Sequence, residues 1–321
     1  MDNSLYMAPM LAFTDSTFRE VYFRHFSGID RAISPFIVVS ENSFYKKKAI
    51  QSLLPSLHES VPVEPQILGK DPLAFAALVN LLEEEGFQSV NVNMGCPASA
   101  VVNKGRGCGF LPYPDRIKEF LDIVMSKITI PLSVKMRTGL NSHNEIYPVI
   151  QILNAYPLSE VIIHPRLGVN KYNGPVDLDV MDDLMALIRI PIVFNGDVSR
   201  TSFYSLKRRF RSVSRWMIGR ELLKDPFLAQ DIKSTQERDF NVLSSMNAIS
   251  TERSIIIREF HDDLLEAFSR IIKREEALVG KMKSYWYYMD SLFPERKWDI
   301  ENLKRILTLD DYKKVTDRIF N

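Results

Sequence analysis

Short apolar runs alternate with amphipathic segments through roughly the first 230 residues of the chain. Eight such runs are each followed by a segment with helical periodicity. The predicted strands are Leu5 to Met10, Ala32 to Val39, Val63 to Leu68, Val90 to Asn93, Leu132 to Met136, Val161 to His164, Ile192 to Asn195 and Trp216 to Ile218. Eight strand-then-helix units over about 230 residues are typical of a (β/α)8 barrel, so we predict an α/β fold of the TIM-barrel class.

The main alternative for such a pattern is a doubly wound open sheet. That fold normally carries a glycine-rich nucleotide fingerprint directly after its first strand. The corresponding segment here, MAPMLAFTD, has no glycine. The barrel is therefore the favoured fold.

The pattern changes after about Gln230. Ser234 to Ser250 is polar and free of glycine, which predicts a linker. From Thr251 onward the apolar residues recur at helical spacing, and no strand-like alternation interrupts them. We predict a catalytic barrel domain over residues 1–235 and a small all-helical domain over residues 250–321.

Charge and cysteine content restrict the partners and the compartment. Lys+Arg 41 against Asp+Glu 40 gives a formal net charge of +1, so a polyanion would have to meet a local basic patch. The two cysteines, Cys96 and Cys108, lie in one glycine-rich segment of a chain with no signal-like start, which favours reduced thiols in a cytoplasmic protein. No apolar run approaches the roughly 20 residues of a membrane helix.

Polar side chains and glycines follow the predicted strands at their carboxyl ends. They are Gln66, Asn93, Lys135, Arg137, His164, Arg166, Asn195, Gly196, Asp197, Gly219 and Arg220. An unpartnered cation inside a barrel costs several kcal/mol, so a ring of such residues at one mouth predicts a site for an anionic ligand. The glycines after strands seven and eight suit a phosphate, because backbone N–H groups there can approach it closely. We therefore predict a phosphate-bearing cofactor, with Lys135 facing its ring.

Cys96 stands just past the fourth predicted strand, between Gly95 and Pro97. Barrel enzymes keep their chemistry at this position, and the glycine lets backbone approach a ligand. Taken alone, a single cysteine is better explained as a small buried side chain. Its place among the polar strand ends makes it the candidate catalytic residue.

Eight of these segments together resemble the tRNA-dihydrouridine synthases. They are MAPM near the start, Gln66, NMGCP at Asn93 to Pro97, GRGCGFL at Gly105 to Leu111, VKMR at Val134 to Arg137, IIHPR at Ile162 to Arg166, FNGDV at Phe194 to Val198 and MIGR at Met217 to Arg220. The tail, with GKMKSYWYYM at Gly280 to Met289, is similar to the RNA-binding helical domain of that family.

The resemblance implies an FMN-dependent reduction of the C5–C6 double bond of specific uridines in tRNA, with NADPH as the electron source. It implies that Cys96 donates a proton to C5 as hydride reaches C6. The implied flavin contacts are Pro9, Met10, Gln66, Lys135 and His164, and the implied phosphate contacts are Asn195, Gly196, Asp197, Gly219 and Arg220. The implied substrate contacts are Asn93, Arg166 and Tyr172.

Two positions depart from the family pattern. Cys108 occupies a place where the family usually has a small residue, so an exchange of roles between the two thiols is an alternative. Pro165 stands where the family has glycine, and it removes a backbone donor that could have met a ligand. Both departures concern which uridine is recognised more than the flavin.

The predicted RNA surface is the pair Lys281 and Lys283, beside Tyr285 and Trp286. A second basic segment is an alternative: Lys207, Arg208, Arg209, Arg211 and Arg215. Each group is also consistent with a solvent-exposed helix face, and the aromatic rings are consistent with core positions.

Three other functions remain open at the level of sequence. A flavin barrel could act on a small pyrimidine, a dihydrouridine synthase could act on ribosomal RNA, and an RNA-binding protein could have kept the barrel without its chemistry. The helical tail argues against the first, and the presence of Cys96, Lys135 and His164 argues against the last.

Overall fold

The computed structural model describes residues 3–39, 50, 60–234 and 249–321. The predicted linker, Ser234 to Ser250, falls almost entirely outside the described residues. The strands are Ser4–Met7, Arg31–Ile33, Ile37–Val38, Val63–Glu64, Gln66–Leu68, Val90–Met94, Leu132–Arg137, Val161–His164, Ile192–Phe194 and Arg215–Ile218. Every recorded pairing between them is parallel.

These ten segments form eight strands of a closed ring. Strand Ser4–Met7 pairs on one side with Arg215–Ile218 and on the other with Arg31–Ile33. Arg31–Ile33 pairs with Val63–Glu64, and Gln66–Leu68 continues that strand and pairs with Val90–Met94. The sheet therefore returns to its starting strand, which confirms the predicted TIM barrel.

Two predicted strands are each broken in the middle. Ala32 to Val39 is divided around Pro35, and Val63 to Leu68 is divided at Pro65. Proline has no N–H to give to the ladder, so pairing lapses there and resumes beyond it. The pairing Ile37↔Ile67 shows that both halves still run side by side.

The helices between the barrel strands are Pro72–Glu84, Ser99–Val102, Pro114–Met125, Ile146–Leu153, Leu178–Leu187 and Phe203–Arg209, with 3-10 turns at Gly107–Phe110 and His143–Glu145. Pro72–Glu84 shows why such segments are helical. Asp71 accepts a hydrogen bond from the backbone N–H of Ala74 at 2.7 Å, and Pro72 occupies the first turn. Phe75 is buried on the inner face, 5.1 Å from the ring of Phe120. Each such buried side chain stabilises the fold by about 1.5–3 kcal/mol.

Side chains that alternate along the strands fill the barrel. One buried apolar cluster comprises Tyr6, Ala8, Ile33, Ile162, Val193 and Met217. Polar side chains lie above and below this layer, as described in the next section. The barrel is a packed core, and its chemistry is confined to the ends.

The chain divides into two compact units: Met1–Leu11, Ile29–Val198 and Ser205–Ile218 form one, and Ala12–Gly28, Ser199–Tyr204 and Gly219–Asn321 form the other. The first holds all the strands. The second holds the helices Ser16–His25, Arg220–Lys224, Leu228–Ser234, Thr251–Ile271, Glu275–Met289, Lys297–Leu303 and Leu309–Phe320, with 3-10 turns at Asp290–Leu292 and Pro294–Arg296. The predicted C-terminal helices are thus confirmed.

An aromatic core holds the second unit together. The ring of Phe18 stacks on Tyr285 at 5.3 Å and meets Phe260 edge-on at 5.9 Å. The indole N–H of Trp286 donates to the hydroxyl of Tyr312 at 2.9 Å. Aromatic pairs of this kind add about 0.5–1.5 kcal/mol beyond the area they bury. In the described parts of the chain, no helix is both long enough and apolar enough to span a membrane.

Candidate active site

Cys96 sits in a loop that the preceding strand holds in shape. The strand Val90–Met94 ends one residue before Gly95, and the side chain of Asn93 folds back over the turn. Its Oδ1 accepts hydrogen bonds from the backbone N–H of Gly95 at 3.1 Å and of Cys96 at 2.9 Å. Cys96 itself is half-buried. Its thiol is therefore fixed in place yet open to a ligand.

Cys108 holds the other side of the same loop. Its backbone N–H donates to the carbonyl of Cys96 at 3.2 Å, and its Sγ donates to the same oxygen at 3.3 Å. Gly107 has a φ of +57°, and a Cβ there would lie 2.5 Å from that carbonyl, so this turn requires glycine. Cys108 is fully buried. Its position suits a supporting role and not an exchange of roles with Cys96.

Both thiols are protonated at neutral pH. Burial raises the pKa of Cys96, and a backbone hydrogen bond together with the charges of Arg137 and Lys135 opposes part of that rise. Burial raises the pKa of Cys108 further, to about 11. A protonated and accessible thiol can act as an acid, and of the two only Cys96 is accessible.

Lys135 and Arg137 project from the strand Leu132–Arg137 beside this loop. The Nζ of Lys135 donates to Oδ1 of Asn195 at 2.6 Å, and burial lowers the pKa of Lys135 to about 7. Arg137 donates to the carbonyl of Leu167 at 2.7 Å, and its guanidinium lies 5.3 Å from the ring centre of Tyr172.

Neither of these two cations has a salt bridge in the described part of the chain. No carboxylate there lies within 4.0 Å of the ammonium of Lys135 or the guanidinium of Arg137. Burying such charges without counter-ions is unfavourable, and a negatively charged ligand would relieve it. The barrel mouth is therefore suited to an anion.

Arg166, by contrast, is fully engaged. Its guanidinium forms a two-pronged ion pair with Asp197 and donates twice to the carbonyl of Gly174, at 3.0 and 2.8 Å. A further contact of 2.9 Å joins Nη1 to Nε2 of His164. A guanidinium can only donate, so Nε2 of His164 accepts and carries no proton. Arg166 thus neutralises Asp197 and fixes the tautomer of His164.

Comparison with known proteins identifies the family. The sequence model described as "Dihydrouridine synthase (Dus)" matches residues 6–307. The chain belongs to the dihydrouridine synthase family. Curated members include tRNA-dihydrouridine synthase B of Vibrio cholerae, 29% identical over 73% of this chain and 72% of that protein. The same enzyme of Vibrio parahaemolyticus is 28% identical over 84% of this chain and 81% of that protein.

Solved structures agree on the fold. The old yellow enzyme homologue of Zymomonas mobilis superposes with a TM-score of 0.54 at 11% identity, over 71% of this chain and 88% of that one. A 2-naphthoyl-CoA reductase superposes with a TM-score of 0.56 at 11% identity, over 72% of this chain and 50% of that one. At such identities the likeness shows a shared barrel.

The structure brings most of the residues that match the family's flavin motifs to the carboxyl ends of the strands. Pro9 and Met10 follow the first strand and are half-buried, and His164 and Asn195 lie at the ends of their strands. Lys135 lies two residues before the end of its strand. Gln66 is fully buried, and both ends of its amide are bonded inside the barrel, to Asn91 and Asn93. Gln66 thus has a structural task that the sequence did not indicate.

The residues that match the phosphate motif fall into two groups. Gly196 is required by packing, because a Cβ there would lie 2.8 Å from Val176 and 3.0 Å from Pro165. Asp197 has a φ of +45° and is paired with Arg166. Gly219 and Arg220 follow the last strand directly in sequence and belong to the second unit, where Arg220 opens a short helix.

The predicted substrate residues also differ in how far they are exposed to solvent and in the bonds that they make within the protein. Tyr172 is exposed, whereas Asn93 is nearly buried and both ends of its amide are bonded to protein. In the second unit, Nζ of Lys281 donates to Asp15 at 2.8 Å and to the carbonyl of Ala12 at 2.6 Å. Nζ of Lys283 donates to the carbonyls of Lys304 and Ile306. Tyr285 and Trp286 are core residues.

Sequence reasoning missed the polar side chains inside the barrel. Asn91 and Ser133 are fully buried, and Glu64 nearly so. The alternation in VNVNM was an available signal, because Asn91 and Asn93 occupy the same face of a strand. The predicted barrel puts Ser133 and Glu64 on strands that flank these asparagines, but nothing in the sequence indicated that their side chains bond to one another.

Proposed function

We propose that this protein reduces uridines in tRNA to 5,6-dihydrouridine, with FMN as the cofactor and NADPH as the reductant. The observation that carries the proposal is the barrel mouth itself. A half-buried, protonated thiol at Cys96 stands beside two cations, Lys135 and Arg137, that lack carboxylate partners in the described chain. Curated relatives that are 28–29% identical to this chain are named as tRNA-dihydrouridine synthases.

The residues at the mouth fit an anionic cofactor. Lys135, His164 and Asn195 would hold the ring of FMN, with Pro9, Met10 and Gln66 beside it. Its phosphate would lie near Asn195, Gly196, Asp197, Gly219 and Arg220. The Asp197 carboxylate would repel a phosphate if it were free, and Arg166 removes that objection by pairing with it. The buried ammonium of Lys135 would gain hydrogen-bond acceptors from the bound ring, and a negative charge to stabilise when that ring is reduced.

The chain's own contribution to the reaction is a proton delivered at a fixed place. FMN, when bound, would supply hydride to C6 of the uracil. Cys96 would donate its proton from Sγ to C5, which requires a thiol that is protonated before the reaction. Burial keeps it so, and Asn93 and Cys108 hold its loop. Lys135 and Arg137 would stabilise the negative charge that develops on the ring.

Access to the uridine requires the base to leave its stack, because the reacting carbons are covered in a folded RNA. Arg166, Tyr172 and Asn93 remain the predicted contacts for that base. The helical unit would bind the surrounding tRNA, and Lys281 and Lys283 remain the predicted contacts. An enzyme acting on tRNA in this way would work in the cytoplasm.

The test is dihydrouridine formation in unmodified tRNA transcripts with purified protein, FMN and NADPH. We expect the wild type to be active and Cys96→Ala to lose about 10²–10⁴-fold in rate, the usual contribution of a general acid. Cys108→Ala is the matched control, because it removes the other thiol of the same loop. It should lose less than about tenfold, since it removes a support and not the proton donor.

Other outcomes would revise the proposal. If Cys108→Ala is as defective as Cys96→Ala, the assignment of the acid is wrong. If a protein that binds FMN and oxidises NADPH leaves tRNA unchanged, the cofactor stands and the substrate does not. Ribosomal RNA and free pyrimidines would then be assayed in its place.

A further inference from the structure

A continuous row of hydrogen bonds crosses the interior of the barrel from the active-site loop toward the amino ends of the strands. Every member is buried or half-buried, and each comes from the strand unit. In order, the row is Cys96, Asn93, Gln66, Asn91, Ser133 and Glu64.

Each bond in this row points the same way. The N–H of Cys96 donates to Asn93 at 2.9 Å, and Nδ2 of Asn93 donates to Oε1 of Gln66 at 2.7 Å. Beyond them, Nε2 of Gln66 donates to Oδ1 of Asn91 at 2.7 Å.

The second half continues in that direction. Nδ2 of Asn91 donates to Oγ of Ser133 at 2.6 Å, and the hydroxyl of Ser133 donates to Oε1 of Glu64 at 2.9 Å. The row therefore ends on the carboxyl group of Glu64, whose other oxygen lies 3.6 Å from Nη1 of Arg31. Burial raises the pKa of this carboxyl group to about 7.

The order of donors and acceptors leaves little freedom in the amide orientations. Asn93 must present its oxygen to two backbone N–H groups, so its nitrogen must face Gln66. That choice fixes Gln66, and Gln66 fixes Asn91 in turn. Bonds aligned in this way polarise one another, and in a dry interior each is stronger than it would be in water.

We propose that Ser133 and Glu64 are positioning residues for Cys96, acting through the amides of Asn91, Gln66 and Asn93. Through these hydrogen bonds, the rigid interior of the barrel would fix the orientation of the Cys96 loop. The consequence for catalysis rests on the proposed function, in which Cys96 must deliver a proton to one carbon of the base. Neither Ser133 nor Glu64 reaches the barrel mouth, and they act only through the row.

The serine is the member at which the row is most easily broken. Its Oγ is also 3.5 Å from the carbonyl of Val90, a longer contact that competes for the same hydroxyl proton. Without the hydroxyl, Asn91 loses its acceptor, and a buried amide left unpaired rearranges or admits water. The disturbance would travel up the row to Asn93.

The test compares Ser133→Ala with Ile162→Val. Each substitution makes one interior side chain smaller, but Ile162 belongs to the apolar layer and not to the row. The first readout is the rate at which iodoacetamide alkylates Cys96, measured by mass spectrometry after tryptic digestion. Lys104 and Arg106 separate Cys96 from Cys108, so the two thiols are read on different peptides. The second readout is kcat and KM for dihydrouridine formation in tRNA.

We expect Ser133→Ala to alkylate Cys96 about three- to tenfold faster than the wild type and to lower kcat by a similar factor, because a loosened loop exposes and misplaces the thiol. KM for tRNA should be unchanged. Ile162→Val should stay within about twofold of the wild type in both readouts, although its melting temperature falls. A merely structural role for Ser133 would lower the melting temperature and leave the alkylation rate unchanged.

Glu64→Gln is the conservative variant, because its carbonyl oxygen can still accept from Ser133. It should alkylate at close to the wild-type rate. The proposal is overturned if Ser133→Ala matches Ile162→Val, or if Glu64→Gln exposes Cys96 as much as Ser133→Ala does. If the wild type forms no dihydrouridine while Ser133→Ala still speeds alkylation, the positioning row stands and the proposed reaction does not.

Discussion

The two ends of the barrel interior use the same kinds of charged residue in opposite ways. At the amino end, the Glu160 carboxylate accepts from Tyr6 and from Arg215, each at 3.0 Å, and lies 3.5 Å from Arg31. At the carboxyl end, Lys135 and Arg137 have no carboxylate within 4.0 Å among the described residues. One end is neutralised by its own side chains, and the other is left positive.

This difference distinguishes a structural cluster at the amino end, called the plug here (Glu160, Tyr6, Arg31 and Arg215), from a binding site at the carboxyl end. A paired, hydrogen-bonded charge satisfies itself and needs no ligand. A buried cation without a partner destabilises the empty fold, and such a cost persists at places where a ligand later removes it. The number of charged residues does not distinguish the two ends, because they differ in whether each charge has an oppositely charged partner.

The largest expected effect is at the plug. Glu160→Gln should lower the free energy of unfolding by about 2–4 kcal/mol, because two arginines and a tyrosine lose their common acceptor charge. Urea unfolding measures it. Glu301→Gln is the control, since Glu301 pairs with Lys304 at the surface, where solvent screens the pair, and its loss should leave the free energy of unfolding nearly unchanged. FMN affinity should be unchanged in both, and a weakened affinity in Glu160→Gln would break the comparison.

The next largest effect is expected at the barrel mouth, where the substitution should leave the stability of the cofactor-free protein unchanged or raise it. Lys135→Met should weaken FMN binding about 10- to 100-fold, because a hydrogen bond from a charged group contributes about 1.5–3 kcal/mol. The cofactor-free protein should be at least as stable as the wild type, since a buried unpaired cation has been removed. Fluorescence titration and thermal unfolding test the two halves. If the variant is destabilised and its FMN affinity is unchanged, Lys135 has a structural role like that of the plug residues.

The pH dependence of FMN binding sharpens this contrast. Burial lowers the pKa of Lys135 to about 7, so in the free protein the group is mostly neutral above that pH. A hydrogen-bond acceptor on the bound ring favours the charged form of Lys135, so binding above pH 7 takes up a proton. The affinity should therefore fall as pH rises from 7, by at most about tenfold per pH unit, and level off below 7. In Lys135→Met this slope should vanish, leaving only the titration of the FMN phosphate, which both proteins share.

The smallest expected effect concerns a lysine that is already paired. Lys281 is bonded to Asp15 and lies 4.5 Å from the ring centre of Phe268. Lys281→Met should cost about 1 kcal/mol of stability and weaken tRNA binding less than about threefold, because its ammonium is already occupied. Filter binding at fixed salt measures the affinity. A tenfold loss would show that pairing inside the protein does not exclude RNA contact.

The sequence predicted the fold class because its signals are local and repeated. Each strand carries its own apolar run, and eight of them leave few arrangements other than a closed barrel. The prediction was less accurate at Pro35 and Pro65, where continuous strands were expected and each is broken in two. At each of these positions the proline lacks the N–H that strand pairing needs. A pattern based on apolar residues does not detect that missing N–H.

For the candidate site, the sequence identified residue types and could not identify their partners. Cys96 and Lys135 were chosen because they follow strands, and the structure places both at the barrel mouth. Gln66 and Asn93 were predicted to contact ligands, and those contacts stay predictions. The structure adds that their amides are bonded within the protein, to interior side chains and to the backbone of the Cys96 loop. Hydrogen bonds between strands join residues about 25 to 70 positions apart, and no local pattern encodes them.

What the sequence alone determined is the order of strands and helices, the position of the thiol after the fourth strand and the family motifs. Each of these depends on neighbours along the chain. What only the tertiary structure decided is which charges are paired, which thiol is accessible and which polar groups form the row from Cys96 to Glu64. Those outcomes depend on closure of the barrel, because closure brings distant strands within hydrogen-bond distance and removes water from between them.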